Sequence, residues 1–498
     1  MVEVVSSKRR KRKLYNWHIW LGFNLAFLTA LLLATGTIAT ISNEIDWLLQ
    51  DDMRVSPEGE KVSWGEMEAN AKERANPDDM LIMLTAGEND HFAYRATFLR
   101  ANGTRYHVHV NQWTGDVTGT TPFLTVQRFF RDLHRYFFMP SFIGLPIVSS
   151  LAIVLMISLY TGLKTTGRLK KDAFRIRKGK GIRVLLSDLH KVAGIWSMWF
   201  ITLMVITAFW YLIEFGFLVA GDGFEPPRPG PTTQRIEEFG DALPLLPADT
   251  IIARASSAFP NWAPQQILYP RSPKQAITVL GYTQDIFVRA RANRVFLDPV
   301  SGDVIQVQKS EDIAFDEYLN EMVDPLHFGT FGKLTTKLIW FTFGLLLTGL
   351  TITGVMMTYK RVKKTYISKA QIKTFPILFV TAIFGCFYVK GQINYSESGE
   401  LITTETFIYE GYILNSELRQ EGIDEYHLVL RAQHKKGIPI IHSITALDQN
   451  GQTHAVKQKT FASTSIFNYS YRQSDNPLDN HITLNVVFAS GEQKQFVL

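Results

Sequence analysis

The sequence predicts an α-helical membrane bundle of four long spans plus a fifth, with two external α+β domains and a C-terminal all-β domain. Three observations predict it: apolar runs of spanning length, Lys and Arg concentrated in alternate inter-span segments, and a span–domain–span unit that occurs twice. At 498 residues the chain is too long for one ordinary domain. Mostly apolar runs of about 18 residues or more can cross a bilayer core of about 30 Å. Four such runs lie at 17–41, 142–163, 192–220 and 338–359, and a shorter one at 375–389.

Each element follows from these runs. The first span takes 14–41, the first external domain 42–131, the second span 132–163 and a basic loop 164–188. The third span takes 189–220, the second external domain 221–332, the fourth span 333–359 and another basic loop 360–374. A fifth span over 375–389 leaves 390–498 as a β-rich domain, external if the fifth run crosses and cytoplasmic if it does not. The net charge of +6 is concentrated in 8–13, 164–191 and 360–373. These segments all fall on one side of the spans, and the positive-inside bias makes that side cytoplasmic. The expected setting is a bacterial inner membrane, with the N-terminus cytoplasmic, the large domains periplasmic and lipid around the spans. Flanking spans account for the basic runs. No recognition module accompanies them, so nucleic acid is not an expected partner.

The basic start followed by apolar residues imitates a signal peptide. A signal h-region is about 7–15 residues; the run at 17–41 is longer and no small-x-small site follows it, so it is read as a retained span. The single cysteine, Cys386, excludes a disulfide within the chain and any C-x-x-C-H attachment of haem.

The repeat is the most informative feature. Trp17-His18 precedes Gly22 as Leu189-His190 precedes Gly194. Each external region closes on a strand and a turn, at Thr114-Gly115-Asp116 and at Ser301-Gly302-Asp303. Leu133-His134 then leads to Thr161-Gly162, as Asp324-Pro325-Leu326-His327 leads to Thr353-Gly354. Each domain reads as one helix with a small antiparallel sheet. In the first, 63–75 is helical with Ser63 as N-cap, and strands 92–98 and 104–110 flank an Asn102-Gly103 turn. In the second, 249–259 is the helix and 276–280, 286–290 and 294–297 are strands.

These motifs, in this order around four spans, resemble the PepSY-associated transmembrane family, often called iron-regulated membrane proteins, over about 15–361. The external domains then correspond to PepSY domains. Members of the ferric-siderophore reductase type imply a haem-bearing four-helix core, a membrane oxidoreductase activity and reduction of an external ferric-siderophore. The fifth run and the tail depart from the family pattern, and nothing functional carries over to them.

Of twelve histidines, four lie at span boundaries: His18, His134, His190 and His327. His18 and His190 begin outward-going spans and share the cytoplasmic layer; His134 and His327 begin inward-going spans and share the external layer. Imidazole nitrogen is a good axial ligand for haem iron, and facing helices of a bundle can supply two. Pairing by layer, His18 with His190 and His134 with His327, gives two b-type haems, one near each face of a bilayer core about 30 Å thick. Gly22 and Gly194, one turn beyond their histidines, leave room for a flat macrocycle. Arg135 and Lys191 are candidate partners for propionates. The blander alternative is a set of interfacial residues with basic side chains snorkelling to headgroups; the fourfold placement favours ligation. His107 and His109 share one strand face, an H-x-H that can hold a metal with His91 as third ligand or can be a solvated face.

Motifs for nucleotide, dinucleotide and common hydrolase sites are missing. The electron donor is therefore expected to be separate, a quinol or a cytoplasmic reductase. The rival function is a membrane-anchored PepSY module that restrains a peptidase or another envelope protein without redox chemistry.

Overall fold

The computed structural model describes residues 2–221, 223–224, 229–230, 242–361, 400–420, 425–447, 453–458, 466–472, 483–488 and 490–497. The chain begins with α1 (Val2–Asn24) and α2 (Ala26–Thr40), followed by α3 (Ser42–Leu49). The first α+β domain contains α4 (Trp64–Arg74), β1 (Met80–Thr85), β2 (Tyr94–Leu99), β3 (Arg105–Val110) and β4 (Val117–Pro122). Then come α5 (Val126–Tyr136), α6 (Ser141–Thr165), α7 (Leu169–Asp172), α8 (Ile182–Trp196) and α9 (Met198–Ala220). The second domain holds β5 (Ala242–Leu243), α10 (Ala248–Ala258), β6 (Ala263–Leu268), β7 (Ile277–Tyr282), β8 (Arg294–Leu297) and β9 (Val304–Gln308). The repeat ends with α11 (Phe315–Phe328) and α12 (Lys333–Arg361).

Among the described residues, α6, α9 and α12 are long and apolar enough to cross a membrane, and α1 with α2 makes a fourth crossing if the bent pair is one span. Two expected spans are not continuous. The first bends by 67° at Leu25, and the third is interrupted at Ser197, so only α9 keeps spanning length. Both break residues have ψ near zero, away from the helical value, although the backbone bonds through them persist. Each lies seven residues beyond its histidine, so the interruption belongs to the repeated unit. Small residues let the bundle close: a Cβ on Gly344 would meet Thr37 Oγ1 at 2.5 Å, where α12 packs on α2. The fifth run lies outside the described residues.

The expected helix in the first domain forms, with Ser63 Oγ accepting from the Glu66 N–H. The Asn102-Gly103 turn joins β2 to β3 with Gly103 at φ +78°. One strand does not form. At 286–290 local bonds from Phe287 N–H to Asp285 Oδ1 and from Tyr318 to Asp285 Oδ2 hold a loop instead. The larger correction concerns the two small sheets, which are one. The strand order is β4-β3-β2-β1-β6-β7-β8-β9, with Met83, Leu84 and Thr85 of β1 pairing antiparallel to Leu268, Ile267 and Gln266 of β6. Joining β1 to β6 covers two edges that separate domains would expose. One face carries Leu84, Phe98, Val108, Ile267, Val279 and Leu297 against α4 and α10. The opposite face carries buried Thr97, His107 and His109.

The sheet is fastened to one end of the bundle. Lys337 at the start of α12, 6% exposed, binds Glu44 of α3 at 2.9 Å and Glu88 of the β1–β2 loop at 3.0 Å. The basic loop with α7 lies at the other end, so the two ends are called the sheet side and the basic side.

The described parts of the tail are antiparallel β, as expected. One sheet comprises β10 (Glu400–Tyr409), β11 (Tyr412–Gln420), β12 (Glu425–His434) and two shorter strands; the other has β14 (Ile441–Leu447) at its centre. Both sheets contribute to one core that includes Leu414, Leu430, Ile444, Val486 and Phe488. Between them β13 (Ile438–Pro439) pairs with β5, and Gln433 Nε2 donates to Leu99 O at 3.1 Å. The tail therefore rests on both α+β domains.

Candidate functional site

The four boundary histidines meet in two pairs. His18 and His190 face each other with ring centres 6.3 Å apart on the basic side; His134 and His327 are 6.2 Å apart on the sheet side. Two imidazoles on opposite faces of one metal, with bonds of about 2 Å and ring centres about 1.1 Å behind each nitrogen, stand roughly 6.2 Å apart. Both separations match that spacing.

The helices that bring them there are not the long spans themselves. His18 is on α1 and His190 on α8, the segments before the two breaks. His134 and His327 are on the short helices α5 and α11, which end in left-handed residues, Phe137 and Gly329, before the next span begins. These short helices lie alongside α2 and α9, deeper than a boundary position implies. Trp340 on α12 reaches Leu326, next to His327, and Thr353 on the same helix holds His190. Thirteen residues at 1.5 Å put the two layers about 20 Å apart, closer than the full bilayer core.

Every histidine is anchored at Nδ1 from a neighbouring helix, three of them by a threonine and His134 chiefly by the Leu32 carbonyl. His18 Nδ1 lies 3.0 Å from Thr161 Oγ1, His190 Nδ1 3.1 Å from Thr353 Oγ1, and His327 Nδ1 2.8 Å from Thr207 Oγ1. His134 Nδ1 lies 2.9 Å from Leu32 O and 3.5 Å from Thr35 Oγ1. Each hydroxyl already donates its one hydrogen to the carbonyl four residues earlier, at 2.7 Å for Thr35 and Thr161, 2.9 Å for Thr207 and 2.8 Å for Thr353. A hydroxyl has one donor, so at each site the imidazole must be the donor. Nδ1 therefore carries the proton, and the Nε2 lone pair is left available. That is the tautomer a ligating histidine adopts when its other nitrogen is held.

Space for a flat group is also present. A cavity of about 760 Å³ on the basic side is lined by His18, His190, Gly22, Gly162, Gly194 and Gly354. A Cβ on Gly22 would meet nothing within 4 Å, and one on Gly194 only Leu350 at 3.7 Å. The same cavity touches Tyr15, Arg177, Arg183 and Lys191. Arg177 is committed: it chelates Asp188 at 2.8 and 2.7 Å and holds that carboxyl down at about 2. Arg183 and Lys191 remain for an anionic edge. On the sheet side Arg135 follows His134 and stacks over Tyr136 at 5.3 Å. Arg131, one turn earlier, shares its face, and neither has a carboxylate within ion-pair distance among the described residues. The basic-side residues thus fit a flat anionic macrocycle such as haem, and the sheet-side pair shares the ring spacing and the two cationic neighbours.

Sequence reasoning marked Thr161 and Thr353 only as repeat positions, and it missed Thr35, Thr207, Arg131 and Arg183. The threonine signal was visible: Thr35-Gly36, Thr161-Gly162 and Thr353-Gly354 repeat one dipeptide on three spans, and Thr207-Ala208 is the fourth. The hydroxyl anchors Nδ1 and the missing side chain admits the ring.

The H-x-H pair is neither solvated nor a metal centre with His91. His107 and His109 are 4% and 1% exposed, with Nδ1 of His107 on Thr97 Oγ1 at 3.0 Å and Nε2 of His109 on Thr121 Oγ1 at 2.9 Å. Burial, reinforced by Arg95, pushes His109 down to about 3 and His107 well below its ordinary value. His91 is exposed, and among the described residues no three His, Cys, Asp or Glu are grouped to hold a metal ion.

No curated protein matches the chain. A family model does: residues 15–361, the whole span–domain–span repeat, match the PepSY-associated TM region. With most of its length inside that match, and with the repeat and paired histidines falling within it, the chain belongs to the PepSY-associated TM region family.

Proposed function

We propose that the protein is a membrane oxidoreductase that holds two b-type haems and passes electrons from the basic side to the sheet side, where a ferric-siderophore or another iron(III) chelate accepts them. The observation that carries this reading is the common tautomer: four histidines, paired by layer, each with Nδ1–H anchored and Nε2 available. A haem in such a site supplies a one-electron Fe(III)/Fe(II) couple within a low-dielectric core. His18 and His190 would hold one and His134 and His327 the other, with Lys191 and Arg183, and Arg131 and Arg135, facing the propionates. The threonines fix ring orientation, and the surrounding spans exclude water. With no dinucleotide motif in the chain, the donor is a quinol or a cytoplasmic reductase. The setting is a bacterial inner membrane, N-terminus cytoplasmic and sheet periplasmic, as the basic segments favour.

The test is the absorbance of protein purified after haem-replete expression. Reducible b-type bands at two haems per chain are expected. Their absence would sink the redox reading and leave the peptidase-restraining one.

The tail extends the topology. Since β13 pairs with β5 and Gln433 with Leu99, the tail lies on the sheet side, whereas α12 ends on the basic side. This placement favours one further crossing between 361 and 400, for which the run at 375–389 is the candidate segment. A reporter fused after Leu498 is expected to be active only in its periplasmic form; activity of the cytoplasmic form alone would overturn the fifth crossing.

A further inference from the structure

The two sheet-side histidines are supported unequally. In the first repeat the nearby acid, Asp132, pairs with Arg128 of its own helix at 3.0 Å. In the second, Asp324 lies one turn before His327 and is held from two other elements. Tyr211 of α9 donates to Asp324 Oδ1 at 2.6 Å, and Arg289 from the loop between β7 and β8 donates to Oδ2 at 2.5 Å. The same guanidinium binds Glu321 at 2.8 Å and the Asn320 carbonyl at 2.8 Å, so it grips three residues along one face of α11. Tyr211 also sets its ring edge-on to His327 at 5.4 Å, one turn beyond Thr207, which holds Nδ1 of the same histidine. Arg135 and Arg291 add positive potential at Asp324, and Glu214 lies within reach of its field.

We infer that Arg289 is a positioning residue: it ties the second α+β domain to α11 and, through Asp324 and Tyr211, sets both the orientation of His327 and the field at the sheet-side iron. The inference rests on the dihaem reading. It makes the sheet-side centre the one whose properties respond to what the α+β domain does, since a shift of the β7–β8 loop acts on the helix that carries the ligand. The basic-side pair has no such link among the described residues; its nearest ion pair, Arg177 with Asp188, lies within the basic segment.

The experiment is a reductive titration of the full-length haem-loaded protein, following the two centres by their separate absorbance bands, with low-temperature EPR of the oxidised form. Asp324→Asn removes a negative charge, so the reduced-to-oxidised ratio of the sheet-side centre at a fixed potential is expected to rise about tenfold, the scale for a partly buried charge some 10 Å away. Arg289→Gln removes a positive charge and is expected to lower that ratio by a similar factor. The basic-side centre should not move in either. Arg289→Lys keeps the charge but not the three-way grip, so its ratio stays near wild type while the EPR signature of the sheet-side centre changes. Unchanged ratios, shifts of one sign in both charge variants, or equal shifts at both centres would overturn the inference. If Arg289→Gln sheds the sheet-side haem, Arg289→Lys decides: retention supports the inference and loss overturns it. Wild-type protein without haem bands sinks the parent reading and this inference together.

Discussion

Replacing His190 by Ala is expected to remove the basic-side haem and leave the sheet-side bands in place; His134→Ala or His327→Ala is expected to do the reverse. The pairing is fixed by the fold. His190 faces His18 at 6.3 Å, whereas His327, the other histidine of its own repeat, lies a layer about 20 Å away along α12. No iron can be shared between the layers, so each variant loses one axial ligand of one site only. The alanine leaves a gap in an already open cavity, and Thr353 Oγ1 keeps its bond to the Gly349 carbonyl without its imidazole. The bundle is therefore expected to persist. Haem content should fall from two per chain to one, and the remaining bands should match one component of the wild-type spectrum. A content still at two in all three single variants would refute the ligand assignment. Simultaneous loss of both haems calls for His190→Met, which keeps a ligand and fills the space; two haems with a shifted basic-side band are then expected.

Much of this was legible in the sequence because the repeat ties distant residues to one geometry. His18 and His190 occupy matching places in two copies of one unit, and copies related by an approximate twofold bring matching residues together at one depth. Apolar runs located the spans and basic runs located one end of the bundle, since both reflect transfer energies that depend on composition alone. The breaks at Leu25 and Ser197 were not legible. They are single residues whose ψ departs from the helical value within continuous apolar sequence while the backbone bonds run on, and neither is Pro or Gly. The joined sheet was hidden for a different reason. The pairing of Leu84 with Ile267 links residues far apart in sequence, and alternation in each strand records only which face is buried. The histidines at 107 and 109 misled because an H-x-H on a strand shows a shared face but not what covers it; here the sheet is polar on its second face, the rings are buried, and one nitrogen of each is held by Thr97 or Thr121.

Gly36→Val is expected to abolish the sheet-side haem as completely as loss of a ligand does, although Gly36 touches no iron. A Cβ at this position would stand 2.5 Å from His134 Cε1 and 2.9 Å from its Nδ1. The ring cannot retreat without breaking its 2.9 Å bond to Leu32 O and losing its place 6.2 Å from His327. Overpacking of this kind costs about 1–3 kcal/mol where a core can adjust; here the adjustment available is rotation of the ligand out of its site. The related positions grade the effect. A Cβ on Gly162 meets His18 Cε1 at 3.6 Å and one on Gly354 meets His190 Cε1 at 3.4 Å, so Gly162→Ala is tolerated and Gly354→Ala tightens the basic side slightly. Gly349 has open space around it, and Gly349→Ala serves as the control. The measurement is haem per chain with the reduced-minus-oxidised spectrum for each variant. One haem in Gly36→Val with basic-side bands intact, and two in Gly162→Ala and Gly349→Ala, is the expected pattern. Two haems with wild-type bands in Gly36→Val would mean that His134 does not ligate in the orientation its Nδ1 bond imposes.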